Sequence, residues 1–416
     1  MLRFRWETEF KETEIGEIPK DWEVKKIIEI GEIGSGSTPS TKVKDYWDGD
    51  IPWITPKDLA NHDSRFISRG ERNITRKAVI ENSLRLYPKG TVLLTSRAPI
   101  GYVAIAKNPV TTNQGFKNII PNDGTNSEFL YYLLTNISEY LKDISGGSTF
   151  EELTKETLQN VLIPFPPLPE QSRIATVLSW FDDLIEVKKR QNEILEKTAM
   201  AIFKSWFIDF EPFRDGEFVY SEELGKEIPK GWEVRPIEKE FNLIKGKKCK
   251  LSDNYFEGYS PYLLIEAFKT GKIEFWTVEK EPRVDENDVV LVADGESSGK
   301  VLRYQKGILG STLLTLKPKR ENFVELKHLI YLTLKFYEDD LMSHKTGSAI
   351  PHLDKDFLKL FPILIPPSHI LQSFHSLVEP LFQKIILNQK QIMTLWKIRD
   401  TLLPLLVFGK LRVEEV

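Results

Sequence analysis

The 416-residue chain has a single cysteine, Cys249, which excludes an internal disulfide framework and suits a reducing compartment. No stretch approaches the length of a transmembrane helix, and the N-terminal MLRFRWETEF lacks the apolar run of a secretory signal. The expectation is a soluble, cytoplasmic protein with no membrane contact. The six histidines (His62, His328, His344, His352, His369 and His375) show no zinc-type spacing. His344 and His352 with Asp354 are near enough in sequence to meet, but satisfied loop contacts explain them better. There is no Gly-x-Gly-x-x-Gly, no Asn-Pro-Pro-aromatic tetrapeptide of amino-methyltransferases and no acidic nuclease cluster. Asp294-Gly295-Glu296-Ser297-Ser298-Gly299-Lys300 fails as a phosphate-binding Walker loop, because Asp294 replaces its first glycine and Val301 its hydroxyl residue. It reads as a turn that presents Lys300. Cys249 stands among lysines expected to lower its pKa, without an evident base beside it. Nothing here points to catalysis.

Residues 170–207 lack something else: they contain neither proline nor glycine, directly after the proline-dense run Pro164-Phe165-Pro166-Pro167-Leu168-Pro169. Alternating steps of four and three give Ile174, Leu178, Phe181, Ile185, Lys188, Asn192, Leu195, Ala199, Ile202 and Trp206. Eight of these ten are apolar, which predicts a long helix that packs along another helix. Two hundred residues on, Phe374, Val378, Leu381, Ile385, Asn388, Ile392, Leu395, Arg399, Leu402 and Leu406 repeat the stripe. Its polar breaks, Lys188, Asn192 and Asn388, fall near one level, where buried polar groups fix register at some cost in stability.

The rest of the chain is duplicated as well. Ile18-Pro19-Lys20-Asp21-Trp22-Glu23-Val24 returns as Ile228-Pro229-Lys230-Gly231-Trp232-Glu233-Val234. The small polar loop Gly34-Ser35-Gly36-Ser37-Thr38-Pro39-Ser40 has a basic counterpart, Lys245-Gly246-Lys247-Lys248-Cys249-Lys250. Pro52-Trp53-Ile54-Thr55 has a looser echo in Pro261-Tyr262-Leu263-Leu264. The stretches near residues 90 and 287 each read as strand, glycine loop, strand, turn and strand. Helical patches follow at 128–141 and 327–342, then Gly147-Ser148 and Gly347-Ser348.

These repeats predict two mixed α/β globules, 1–168 and 210–368, and two spacer helices, 169–209 and 369–416. Each stripe spans about 48 Å at 1.5 Å per residue. The second globule starts where the first helix ends. That connection favours an antiparallel coiled coil with one globule at each end and pseudo-two-fold symmetry.

Charge is uneven. Residues 40–121 carry +6 and residues 242–320 carry +3, against a total of −4, so the remainder carries −13. Basic segments in an acidic frame suit limited contact with phosphate, although ordinary solvated faces explain the charge equally well. Arg and Lys suit guanine, Asn and Gln suit adenine, and Ser and Thr serve bases or phosphates. The candidate DNA contacts in the first globule are Ser35, Ser37, Thr38, Lys57, Ser96, Arg97, Thr112, Asn113, Gln114, Lys117 and Ser148. In the second they are Lys245, Lys247, Lys248, Lys250, Ser297, Ser298, Lys300, Ser311, Thr312 and Ser348. Turn formation is the competing explanation for each.

Several of these segments carry a family resemblance. The paired Ile-Pro-x-x-Trp openings, Gly36-Ser37-Thr38-Pro39, Pro52-Trp53-Ile54-Thr55, Asn113-Gln114-Gly115, Gly147-Ser148 and Pro166-Pro167-Leu168-Pro169-Glu170-Gln171 resemble the specificity subunit of type I restriction-modification systems. The duplicated order spans the whole chain and is more specific than any one motif. The resemblance implies an α+β fold of two target recognition domains, joined by two long helices in an antiparallel coiled coil. It implies a bipartite double-stranded DNA site, two adenine-N6 methyltransferase (modification) subunits using S-adenosylmethionine, and restriction subunits using ATP and Mg for translocation and cleavage. No cofactor falls to this chain itself. The second half departs at Pro366-Pro367-Ser368-His369, which lacks the Glu-Gln pair, and in its lysine-rich loop. Unlike readers imply unlike half-sites. A noncatalytic DNA-binding scaffold of another defence or partition complex is the rival expectation.

Overall fold

A computed structural model describes residues 2–62, 64–97, 99–146, 152–319, 324–347 and 351–415. The chain forms two compact units. The first comprises Met1–Glu186 and Leu395–Val416, the second Val187–Thr394.

In the first unit, the four residues of Val92–Thr95 are all buried, as befits a strand covered on both faces. Around it a five-stranded sheet runs in the order Gly31–Ser35, Phe116–Pro121, Val92–Thr95, Val103–Ala106 and Phe66–Ile67. The last pair is parallel and the others antiparallel. A three-stranded sheet joins Thr111–Thr112, Trp47–Ile54 and Arg72–Ile74, with Trp47 and Trp53 packed edge to face at 5.1 Å. The second unit repeats the plan. Its principal sheet runs Phe241–Lys245, Leu313–Pro318, Val289–Val292, Val301–Leu302, and its second runs Phe275–Thr277, Ser260–Leu263, Gly307–Leu309, Arg283–Val284. Each expected helical patch is split, into Ser127–Asn136 and Ser138–Asp143, and into Val324–Phe336 and Glu338–Ser343.

The two long helices are Leu168–Phe203 and Ser368–Val407. Each follows a Pro-Pro pair, and Pro169 sits in the first turn of the first helix, where its missing N–H costs nothing. Within the second unit, Lys188 Nζ donates to Gln391 Oε1 at 2.6 Å and Asn388 Nδ2 to Asn192 Oδ1 at 2.8 Å. Rising numbers on one helix meet falling numbers on the other, so the pairing is antiparallel. Within the first unit, Arg399 closes on Asp182 at 2.6 Å in the same sense. Asn388 is fully buried.

Two sequence boundaries need correction. The second helix stops at Val407 rather than continuing to 416, because Gly409 adopts a left-handed φ of +70°. A Cβ there would lie 2.4 Å from Pro19 Cγ, so glycine is required. Beyond it, Leu411–Glu415 pairs antiparallel with Leu2–Trp6. The first helix ends at Phe203, widens into a π-helical turn over Lys204–Ile208, and is followed by Phe210 at φ +53°. Nor are the helices separate bodies. Ile174, Leu178, Leu403 and Leu406 share the first unit's core with Trp22 and Phe129. Ala199, Phe203, Phe374 and Val378 share the second unit's core with Leu329 and Leu358. Apolar burial assigns each helix segment to a globule.

The first unit also explains the Glu-Gln pair. Trp22 Nε1 donates to Glu170 Oε2 at 3.0 Å, and Arg412 donates to both Glu170 oxygens at 2.5 and 2.7 Å. Arg412 also binds Asp21 at 2.8 and 3.0 Å and contacts Glu7. Gln171 bridges the carbonyl of Pro166 at 2.9 Å and the N–H of Asn126 at 2.9 Å. In the second unit, Trp232 instead packs against Phe207, Phe210 and Phe213 at 5.1–5.7 Å between ring centroids.

Candidate nucleic-acid interface

In the first unit the loop after Gly31–Ser35 is fixed by its backbone. Gly36 passes so close to the chain at Thr112 and Asn113 that a Cβ would lie 2.2 Å from one carbonyl oxygen and 2.3 Å from the next. Ser37 donates its N–H to the Thr112 carbonyl at 2.9 Å and accepts from Trp53 Nε1 at 3.1 Å. Its hydroxyl is thereby left on the surface. Thr38 hydrogen-bonds Gln114 at 2.5 Å, which ties this loop to the next, and Asn113 Oδ1 accepts the Gly115 N–H at 2.9 Å. Lys57 is exposed and paired with Glu71 at 3.1 Å. Ser35, Ser37, Thr38, Lys57, Arg97 and Gln114 thus face solvent, with Asn113 half-buried. Ser96, Thr112 and Lys117 do not. They are 0%, 1% and 5% exposed: Lys117 lies on an interior strand, Ser96 directly follows the central strand Val92–Thr95, and the Thr112 hydroxyl accepts from the buried Asn118. Their expectation as surface contacts is corrected: these three side chains are buried.

The second unit builds its rim on the same backbone. A Cβ on Gly246 would meet the Gly310 carbonyl oxygen at 2.0 Å, Lys247 donates its N–H to Leu309 at 3.2 Å, and Tyr262 Oη donates to the Lys247 carbonyl at 2.8 Å. Lys245, Lys247, Lys248 and Lys250 are exposed. Ser311 and Thr312 are half-buried, with the Thr312 carbonyl accepting from Ala293 at 2.8 Å. Residues 294–300 form the expected turn, with Gly295 and Gly299 at φ +102° and +93°. Ser297 and Lys300 are half-buried there, whereas Ser298 is fully buried and is corrected in the same way as Ser96. Ser148 and Ser348 lie outside the described residues.

One polar cluster in each unit occupies the same backbone position. In the first, Ser96 donates to Gly115, Leu153 donates to Ser96 at 3.0 Å, and Arg97 faces Glu152 across a β-bridge. In the second, Ala293 donates to Thr312, Leu353 donates to Ala293 at 2.9 Å, and Asp294 faces His352 across a β-bridge. Glu152 accepts from Arg97 at 2.8 Å and from Lys117 at 3.2 Å. Arg97, followed by Lys117, holds the Glu152 carboxyl below its usual range against the opposing effect of burial. Asp294 pairs with Lys245 at 2.8 Å and with His352 Nδ1 at 2.8 Å. Burial pushes the Asp294 carboxyl up, but Lys245 and His352 outweigh it and the net shift is downward. Glu152 and His352 are not among the candidate contacts expected from residue type. The one sequence signal is the repeat itself, which sets an acid, Glu152, against a histidine, His352, at matched positions.

Other chemistry is weaker. His328, His375 and Glu379 place ligand atoms within 4.8 Å of one another. Arg303 donates to His328 Nδ1 at 2.7 Å, so Nε2 carries the ring proton and faces Glu379. A metal on Nε2 would force that proton to Nδ1, against the guanidinium. Burial, with Arg303 beside it, lowers the His328 pKa to about 4, which keeps the ring neutral. The group is a packed core network, with Arg303 lying over Phe382 and Tyr331 at 4.5 and 4.9 Å. Burial and Glu279 raise the Cys249 thiol, reversing the expected lowering by its lysines. His344 stacks on Phe357 at 3.9 Å while His352 bonds Asp294, so the two histidines form no ligand set.

Among the described residues, no helix is long and apolar enough to cross a membrane. The family model of the type I restriction modification DNA specificity domain matches residues 19–197 and again 229–395. The chain is 54% identical to the type I restriction enzyme MjaIX specificity subunit of Methanocaldococcus jannaschii, over 100% of this chain and 99% of that one. It is 25% identical to the MjaVIII specificity subunit of the same organism, with the same coverage. A crystal structure of the type I restriction-modification S subunit from M. genitalium has the same fold, with a TM-score of 0.55 at 20% identity, covering 93% of this chain and 96% of that one. Two matched domains, two units on one plan and an antiparallel helix pair agree: the chain belongs to the type I restriction-modification DNA specificity family.

Proposed function

We propose that this chain is the noncatalytic sequence reader of a type I restriction-modification complex, with each unit reading one half of an asymmetric bipartite site on double-stranded DNA. The observation that carries the reading is the pair of rims built on matching backbone hydrogen bonds from dissimilar side chains. The first is lined by Ser35, Ser37, Thr38, Arg97 and Gln114, the second by Lys245, Lys247, Lys248 and Lys250. Equal scaffolds give equal approach to a groove, whereas unlike donors and acceptors select unlike bases. Lys57 and the lysine loop supply phosphate contacts that make binding salt-dependent. Ser297, Lys300, Ser311 and Thr312 flank the second rim and take part through their exposed atoms.

In this reading the modification subunits flip the target adenine and methylate N6 with S-adenosylmethionine, and the restriction subunits use ATP and Mg. This chain binds none of these cofactors and works in the cytoplasm. The helix pair serves as the spacer ruler. Adding one heptad to both helices is expected to lengthen the unspecified spacer and leave the half-sites unchanged, as read by methylated-motif sequencing. The direct test is co-expression with a cognate modification subunit. Copurification and protection of one asymmetric bipartite sequence are expected, with no methyl transfer by this chain alone. Transfer by the isolated chain would overturn the noncatalytic assignment.

A further inference from the structure

We infer that Glu152 and Asp294 are positioning carboxylates that decide which side chain each unit points at a base: Arg97 in the first unit and His352 in the second. The inference rests on the reading of the units as half-site readers, and it adds residues, chemistry and a site for each.

The argument starts from two cross-strand pairs. At the β-bridge, Arg97 opposite Glu152 in the first unit becomes Asp294 opposite His352 in the second. On the neighbouring strands, Ser35 opposite Lys117 becomes Lys245 opposite Leu314. Each unit therefore sets two basic side chains on one carboxylate, but all three ionisable groups have moved to the opposite member of their pair. The surrounding backbone bonds, 96 to 115 and 153 to 96 against 293 to 312 and 353 to 293, are unchanged. Random surface drift has no reason to invert both pairs together, because inverting one alone would set the lysine beside the other basic side chain instead of the carboxylate. A compensated inversion preserves the fold and alters what is presented.

What is presented differs in kind. Arg97 gives one terminal nitrogen to Glu152 and keeps half of its side-chain surface exposed. Its remaining N–H groups form the donor fork that suits the O6 and N7 acceptors of guanine. His352 gives Nδ1 to Asp294 and is also about half exposed. In its neutral form the Nδ1 proton is fixed by that carboxylate, so Nε2 is an acceptor and suits a base amino group, adenine N6 or cytosine N4. Lys117, buried, and Lys245 are the second basic partners of the two carboxylates, which leaves the first cluster at +1 and the second, with His352 neutral, at zero. One unit offers a donor at this position and the other, with His352 neutral, an acceptor.

The test uses the complex with its modification subunit and a randomised library of methylation sites. Glu152→Gln and Arg97→Lys are expected to lower discrimination about tenfold at one guanine of one half-site. Asp294→Asn and His352→Ala are expected to do the same at one adenine or cytosine of the other half-site only. Arg97→Lys retains the charge and guards against misfolding, and copurification with the modification subunit reports assembly of every variant. A uniform loss of methylation with both half-sites intact, or relaxation in both half-sites from one variant, overturns the inference. If the wild-type complex marks no bipartite site, the functional reading fails first, so the two failures are distinguishable.

Discussion

The two units solve the same packing problem, the docking of a long helix beside an Ile-Pro-x-x-Trp segment, with opposite chemistry. The first uses charge: Glu170 accepts from Trp22 and from Arg412, which also engages Asp21 and Glu7. The second uses rings: Trp232 sits among Phe207, Phe210 and Phe213, and the helix positions matching Glu170 and Gln171 are Ile370 and Leu371. Geometry is held while the side-chain solution is free. The same lesson recurs at the rims, where backbone bonds match and charges are inverted. A duplicated scaffold lets one half change its chemistry without moving the other.

The largest expected effect comes from breaking the ionic docking. Arg412→Ala leaves Glu170 buried without its cation and is expected to cost about 3–5 kcal/mol in urea unfolding. Replacing both partners with apolar residues, Glu170→Ile with Arg412→Met, imitates the second unit and should recover most of that loss. If the double variant is no better than the single one, the two solutions are not interchangeable.

Acid should separate the units next. The His328 pKa is lowered by burial from 6.5 to about 4, so its contribution to stability is present above pH 6.5 and fades as pH falls toward 4. In the first unit, Glu7 is lowered to about 2, where burial is outweighed by the N–H groups of Glu9 and Thr8 and by Arg412 and Arg5. Its contribution survives until pH falls below about 4.5 and is lost toward 2. Between pH 7 and 5, wild type is therefore expected to lose about 1–2 kcal/mol more than His328→Gln in paired urea melts. Equal losses would refute the buried neutral histidine.

The smallest effect concerns the helix seam. Asn388 is fully buried and bonded to Asn192. Asn192→Leu with Asn388→Leu removes both partners and is expected to raise stability by about 1 kcal/mol. Register should loosen in exchange, visible as a mixed spacer among methylated sites. A single spacer in that variant would show that the asparagines are not register marks.

Much of this was legible in the sequence. The stripes from Ile174 and from Phe374 were readable because helical period and burial coincide over about nine turns, and the strand–loop–strand order was readable from β-branched runs between glycines. The helix ends were not legible. Gly409 terminates its helix through a left-handed turn against Pro19, a contact between distant residues that spacing does not express. Residue type does not distinguish an exposed Ser37 from a buried Ser96. The repeat marks positions 152 and 352 as unlike, but the pairings of Glu152 with Arg97 and of Asp294 with His352 span 55 and 58 residues and are not legible in spacing.

The central claim is that two units on one plan read two different half-sites. Sequencing the methylated adenines of a host that carries this chain and its modification subunit tests it directly. One asymmetric bipartite motif, with unlike halves around a fixed unspecified spacer, is the predicted result. A palindromic motif, or a single continuous site, would contradict it.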